Sequence, residues 1–317
     1  MLGDIPRYVR SVILQCAVLP TIRDREKLSR FREIRSQYWK VYRALSVTDS
    51  KLEIIDLTPA GYDWKTWSRD IRQAFRKKVP LNFLRQPTIA KTMVFGGMRD
   101  FDAANRRVEV VREAYTEECA RRLLVEDYIG LPRIVNAKYK TSANRAHHAY
   151  HLASYQIATQ RTIWNCGCIV EWGGGYGGMA RIIRRSNKSI TYILIDLPEL
   201  CALQYVYLAS LEGHEEVNLV LPGTSVARGK VNIVPVGGLF TDRAAIHGDA
   251  FISTWALSES SKELQKLVVD RRFFGASGVL LAYREDEYSH LKESVGAGGF
   301  MRVPVSLLGE GHEYAFR

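Results

Sequence analysis

No stretch of the 317 residues approaches the ~18 consecutive apolar side chains that a membrane-spanning helix needs, which excludes an integral membrane protein built on such helices. The nearest run, Val12 to Leu19 after Arg7 and Arg10, is interrupted by Gln15, ends at Pro20 and is followed by no small-residue cleavage site. It reads as a buried N-terminal helix. Cysteine is scarce: Cys16, Cys119, Cys166, Cys168 and Cys201 are odd in number and scattered, so no disulfide framework is expected, and they read as free thiols in a reducing cytoplasm. Cys166 and Cys168 share a strand face, but no second thiol pair follows to complete four ligands. Core packing is expected of them, and no metal. Internal repeats and low-complexity tracts are absent, and 46% hydrophobic with 25% charged residues excludes disorder as the main state.

Acidic charge is short only in the first half. Residues 1–160 hold 29 Lys and Arg against 17 Asp and Glu, whereas residues 161–317 hold 16 against 17, so the formal net charge of +11 belongs to the N-terminal half. Such asymmetry bears on partners rather than fold, and points to an anionic ligand or surface.

The first half has helical spacing. Leu28, Phe31, Ile34, Tyr38, Val41, Tyr42 and Leu45 recur at three and four, predicting one amphipathic helix over residues 23–45. Further helices are expected over 67–78, 107–125 and 143–159, and the basic stretch Arg72, Arg76, Lys77, Lys78 reads as a solvated helix face. From Ile169 onward the texture changes. Short β-rich runs at 168–171, 192–196, 231–236, 250–254 and 279–283 alternate with helical runs at 179–185, 199–211 and 261–271, which implies an α/β fold with a parallel sheet covered on both faces. The segments 300–307 and 313–316, around Gly309 and Gly311, read as a terminal hairpin. Two domains are expected: a helical N-terminal substrate or lid domain, 1–142, and a Rossmann-like domain, 143–317.

The most informative residues are Ile169-Val170-Glu171-Trp172-Gly173-Gly174-Gly175-Tyr176-Gly177-Gly178. A strand that ends in glycines and passes at once into a helix lets bare peptide N–H groups approach a ligand. Gly173, Gly175 and Gly178 satisfy the dinucleotide pattern G-x-G-x-x-G. Glu171, Gly173, Gly175 and Gly177 satisfy the E-x-G-x-G-x-G pattern of methyltransferases that use S-adenosylmethionine. Glu171 separates the two: a carboxylate at the mouth of the turn repels a diphosphate but attracts the cationic amino group of S-adenosylmethionine. Asp196 ends the next strand, where an acid accepts hydrogen bonds from ribose hydroxyls in either class.

With Tyr192-Ile193-Leu194-Ile195-Asp196-Leu197-Pro198-Glu199 and the helix carrying Gln204-Tyr205-Val206-Tyr207-Leu208, these motifs resemble those of the sugar O-methyltransferase family within the class I S-adenosylmethionine-dependent methyltransferases. The likeness covers residues 128–283. It implies a seven-stranded class I sheet with the last strand antiparallel. It also implies cofactor contacts at Glu171, Gly173, Gly175, Tyr176, Gly177, Asp196 and Leu197, with Gly237 in the loop near the adenine. Where plant-type small-molecule O-methyltransferases carry a His-x-Trp-Asp element with the base, this chain has Thr254-Trp255-Ala256.

A general base must therefore come from elsewhere. Glu259 follows the fourth-strand position, at the end of an open sheet where ligands bind; its alternative role is a helix first-turn acid. The second source is Arg145-Ala146-His147-His148-Ala149-Tyr150-His151, in which His148 and His151 are the catalytic candidates. The spacing of His147 and His151 also suits metal, but the Glu of H-E-x-x-H is replaced by His148. The reading is thus a cytoplasmic S-adenosylmethionine-dependent methyltransferase that O-methylates a sugar or sugar-containing, anionic small molecule; a homodimer is compatible with it. The alternatives are an RNA methyltransferase that uses the basic half as a phosphate-binding face, an amino-sugar N-methyltransferase, and a non-catalytic binding protein.

Overall fold

The apolar stripe of residues 23–45 is built, in the computed structural model, as α1 (Ile22–Ile34) and α2 (Tyr38–Ser46), joined by a 3-10 turn at Arg35–Gln37. The spacing runs unbroken through the turn, so Phe31, Ile34, Tyr38, Val41 and Leu45 are all buried on one face. The structure describes residues 22–47, 63–94, 101–240, 246–284, 291, 293, 295–296 and 298–317; the expected helix around Val12 lies outside them, as does Cys16. α3 (Trp64–Ala74) is capped by Asp63, whose side chain accepts from the Thr66 N–H, and α4 (Pro87–Thr92) opens on proline. The single helix expected over 107–125 is two, α5 (Phe101–Ala114) and α6 (Glu117–Leu124). Thr116 breaks it by taking extended backbone and capping the Cys119 N–H.

A two-stranded ribbon, β1 (Ile134–Asn136) with β2 (Thr141–Ser142), leads into α7 (Ala143–Thr159). The Ser142 side chain caps the Arg145 N–H at its start, and Gln160 ends it in the left-handed region. Then follow β3 (Cys168–Trp172), α8 (Gly178–Ser186), β4 (Thr191–Asp196), α9 (Pro198–Glu212), β5 (Val217–Leu219), β6 (Val231–Pro235), β7 (Ala250–Thr254), α10 (Lys262–Asp270), β8 (Gly278–Arg284), β9 (Met301–Pro304) and β10 (His312–Phe316).

The main sheet has eight strands, in the order β5-β6-β4-β3-β7-β8-β10-β9, one more than the seven expected; the addition is β5, a three-residue edge strand. β5 through β8 pair in parallel, and β10 runs antiparallel to both β8 and β9. Strand order reverses between β3 and β7. A crevice at their C-terminal ends is where an open sheet of this kind takes a ligand.

Both faces of the sheet are buried, as parallel strands require. Ile169, Tyr192 and Leu194 point to one core and Val170, Trp172, Ile193 and Ile195 to the other. The first core also contains Phe31, Tyr38, Leu45 and Phe83, so residues on both sides of the expected 142/143 boundary pack together: α1 and α2 lie on α9, and α5 lies on α7. Cys166 and Cys168 are half-buried rather than in the core, because they sit where the central strand β3 begins, at the N-terminal end of the parallel strands. Among the described residues no helix is long and apolar enough to cross a membrane, and no three His, Cys, Asp or Glu cluster as metal ligands.

Candidate active site

The glycine turn after β3 is required by space. Gly173 and Gly175 have φ of +74° and +57°, and a Cβ on Gly173 would overlap that of Ala256 in the turn after β7. A Cβ on Gly178 would come within 2.8 Å of the His148 ring and the Tyr176 hydroxyl. The turn thus packs against the neighbouring strand's turn on one side and against α7 on the other, with a cavity of about 590 Å³ beside it. That volume lies within the ~300 to 1,000 Å³ of small-molecule and cofactor sites.

Glu171, Gly173, Gly175, Tyr176, Asp196 and Leu197 all line the cavity; Gly177 and Gly237 do not, and Val236 stands where Gly237 was expected. Glu171 is buried and accepts a 2.9 Å hydrogen bond from the Tyr192 hydroxyl. Burial pushes its carboxyl up to about 8, against the effect of that bond. Asp196 accepts from the Leu197 N–H at 2.8 Å, the Gly175 N–H at 3.1 Å and Gln204 Nε2 at 2.7 Å. These three donors fill all but about one of a carboxylate's roughly four acceptor positions. Burial still outweighs them and raises Asp196 to about 7. Two buried carboxyls with raised affinity for protons, at one mouth, favour a cation and disfavour a diphosphate.

Beyond the turn, the cavity wall is made by Trp64, Lys91 to Val94, His147, His148, Trp255, Glu259, Arg284 and His312. A Cβ on Gly175 would meet the Met93 side chain at ordinary van der Waals distance. Trp64 Nε1 donates to Glu259 Oε2 at 3.2 Å, joining α3 to the loop after β7. Glu259 precedes the Ser261 cap of α10, whose first-turn acid is Glu263, so the helix-dipole alternative for Glu259 falls to another residue. Trp255 adopts φ of +65°, a strained conformation for a bulky side chain, and its N–H is held by the Ala282 carbonyl at 2.6 Å. Its indole stacks on His147, with ring centroids 5.4 Å apart, and its Nε1 donates to His312 Nδ1 at 3.3 Å.

Of the two histidines expected to be catalytic, His148 lines the cavity, stacked near Tyr176 beside the glycine turn, and burial holds it down to about 3. His151 does not reach the cavity. It is buried behind His147, with Nε2 at 3.2 Å from His147 Nε2 and Nδ1 at 2.6 Å from the Tyr314 hydroxyl. Burial lowers both His147 and His151 well below the usual imidazole range. Among the described residues, Lys91 is the one Lys or Arg of the basic first half on the cavity wall. Other cations of that half serve inside the fold: Lys27 and Arg145 join Arg181 and Arg185 around buried Asp127. Trp64, Lys91 and His312 gave no signal in the sequence, since each reaches the cavity only through tertiary packing.

No protein-family profile matches the chain, and no curated protein does. Similar solved structures include the mitomycin 7-O-methyltransferase MmcR, at 13% identity over 88% of this chain and 94% of that one, with a TM-score of 0.37. The pyocyanin biosynthetic protein PhzM matches at 17% identity over 90% and 95%, TM-score 0.35. Human N-acetylserotonin methyltransferase in complex with S-adenosylmethionine matches at 12% over 100% and 99%, TM-score 0.34. At such identities and scores the likeness bears on neither substrate nor mechanism. The strand order, the glycine turn after β3 and the acid at the end of β4 are nonetheless those of the class I methyltransferase fold, and that is the fold of this chain.

Proposed function

We propose that the chain is an S-adenosylmethionine-dependent methyltransferase that O-methylates a saccharide or sugar-containing small molecule. The observation that carries the reading is the pair Glu171 and Asp196, buried at adjacent strand ends around one glycine turn and opening into one cavity with room beyond it.

S-adenosylmethionine, when bound, supplies a methyl group already activated on a sulfonium. The chain's part is to hold, orient and deprotonate. Glu171 would hold the cofactor's cationic amino group, the remaining acceptor position on Asp196 would take a ribose hydroxyl, and Ile195, Leu197 and Val236 would supply apolar wall. The bare peptides of the turn allow close approach because Gly173 and Gly175 carry no Cβ. On the acceptor side, Trp64 and Trp255 supply aromatic wall against which the C–H surface of a sugar ring would pack. Glu259 is the group that takes the acceptor hydroxyl's proton: it is the acceptor-side carboxylate, oriented by Trp64. A positioned base contributes ~10² to 10⁴-fold. His148 is assigned to the cofactor side, and His151 acts only through His147.

Calorimetry with S-adenosylmethionine, S-adenosylhomocysteine and NAD tests the cofactor assignment. Binding of the first two and not of NAD is expected, and binding of NAD alone defeats the reading. Transfer of a labelled methyl group to members of a saccharide panel then tests the acceptor class.

A further inference from the structure

From Asn144 to Leu200 the chain gives the cavity wall two carboxyls, Glu171 and Asp196, and no Lys or Arg. An ammonium bound against the glycine turn has Glu171, whereas a carboxylate there has only neutral donors in that part of the wall. α7 supplies three polar residues to it. Asn144 and His147 are 4% and 3% exposed, and Asn144 Nδ2 already donates to the Tyr176 hydroxyl at 2.9 Å. His148 is the partly exposed one. Its Nδ1 is buried without a partner against Gly178, where a built Cβ would stand 2.8 Å away, so Nε2 is the ring nitrogen open to the cavity. Among the described residues Nε2 has no hydrogen-bond partner either. Gly178 opens α8, whose first-turn N–H groups lack intrahelical acceptors and carry the positive end of the helix dipole. A lone pair on Nδ1 is favoured beside them, and the Tyr176 hydroxyl oxygen, also 2.8 Å from that built Cβ, already accepts from Asn144. Burial keeps the imidazole neutral, and its one hydrogen therefore belongs on Nε2. Glu171 lies at the other end of the same turn, its Oε2 3.2 Å from a Cβ built on Gly174, and the Gly177 N–H donates to the Gly174 carbonyl at 2.9 Å between the two.

We propose that His148 binds the α-carboxylate of S-adenosylmethionine by donating from Nε2, so that Glu171 and His148 read the amino-acid end of the cofactor from the two ends of the glycine turn. The proposal rests on the methyltransferase reading and gives His148 a positioning role in it rather than that of a base. One tight turn of separation suits an ammonium and a carboxylate borne on one carbon. A neutral donor makes a charge-assisted hydrogen bond to the carboxylate without placing a second positive charge beside the sulfonium.

The test titrates the full chain calorimetrically with S-adenosylhomocysteine, with its decarboxylated analogue, which keeps the amine, and with methylthioadenosine, which has neither group. A chain that does not bind S-adenosylhomocysteine defeats the methyltransferase reading and this proposal with it. The wild type is expected to prefer S-adenosylhomocysteine to the decarboxylated analogue by tenfold or more, the range of a hydrogen bond to a charged group. In His148→Leu that preference falls at least tenfold while methylthioadenosine binds as in the wild type. His148→Gln, whose amide Nε2 reaches the position of the imidazole Nε2, retains most of it. Equal wild-type binding of S-adenosylhomocysteine and the analogue, an undiminished preference in His148→Leu, or an equal loss for every ligand overturns the role of His148 and leaves the cofactor reading intact. Histidine ¹⁵N NMR of the wild type needs no variant: the His148 hydrogen found on Nδ1, or an Nε2 resonance that S-adenosylhomocysteine moves no more than the decarboxylated analogue does, refutes the donor assignment.

Discussion

Asp127→Asn removes one charge and almost no volume, yet it strikes the point where the N-terminal helices are tied to the sheet. Asp127 is 1% exposed and accepts from Lys27 of α1 at 2.8 Å, Arg145 of α7 at 3.2 Å and Arg181 of α8 at 3.0 Å, with Arg185 as a further donor. After the substitution Arg145 keeps Glu126 and Arg181 keeps Glu212, but Lys27 and Arg185 lose their carboxylate. Breaking a buried ion pair by removing one partner costs about 3–5 kcal/mol. Against a total stability of about 5–15 kcal/mol this is a large fraction. At about 2–4 °C per kcal/mol for a domain of this size class, the melting temperature should fall by roughly 6–20 °C. Urea unfolding followed by circular dichroism measures the loss. The surrounding guanidinium groups hold the Asp127 carboxyl well below its usual range. Its contribution is therefore complete above the unfolded value of about 3.9 and is lost as pH falls below that toward the folded value. The gap between wild type and Asp127→Asn should accordingly be constant from pH 5 to 7 and close under acid. A variant within about 1 kcal/mol of wild type at pH 7, or a gap that widens in acid, would refute the idea that this cluster fastens the helices to the sheet.

Three other outcomes follow from the site. Burial raises Glu171 to about 8 and Asp196 to about 7, and a bound cation favours their ionised forms, so S-adenosylmethionine should bind more tightly as pH rises from 6 to 8. Calorimetry in buffers of different ionisation heat should show net proton release, and pH-independent affinity would count against the pair. Gly173→Ala places a Cβ in a left-handed conformation and into Ala256, so cofactor affinity should drop more than tenfold in the same titration; near-wild-type binding would show that the turn is looser than described. Glu259→Gln should lower methyl transfer by ~10² to 10⁴-fold with S-adenosylmethionine affinity kept within about twofold, measured by labelled transfer and calorimetry side by side. Unchanged turnover would remove Glu259 as the base.

Legibility followed the range of the interaction. Helix α7 was readable to the residue because Ser142 and Gln160 close its ends locally, and the strand ends at Glu171 and Asp196 were readable because glycine and acid stand beside them in the chain. Where periodicity ran on through a break, as at Arg35–Gln37 and at Thr116, one helix was expected and two formed. The three residues of β5 carry too little pattern to announce an edge strand. Charge misled most. The excess of Lys and Arg in residues 1–160 pointed to a substrate-binding face, but a charge count does not show that Lys27 and Arg145 turn inward to Asp127.

The sequence alone determined the α/β class, the cofactor turn and the two acids that flank it, because a glycine-rich strand-to-helix junction is a local solution to a local problem of backbone geometry. Tertiary structure decided what lines the cavity beyond the glycine turn. His147 rather than His151 lines the cavity, Trp64 crosses from α3 to Glu259, and His312 meets Trp255 from 57 positions further along the chain. Those meetings depend on helix rotation and antiparallel register, which are fixed by burial of the whole core and not by any segment that supplies a residue to the site.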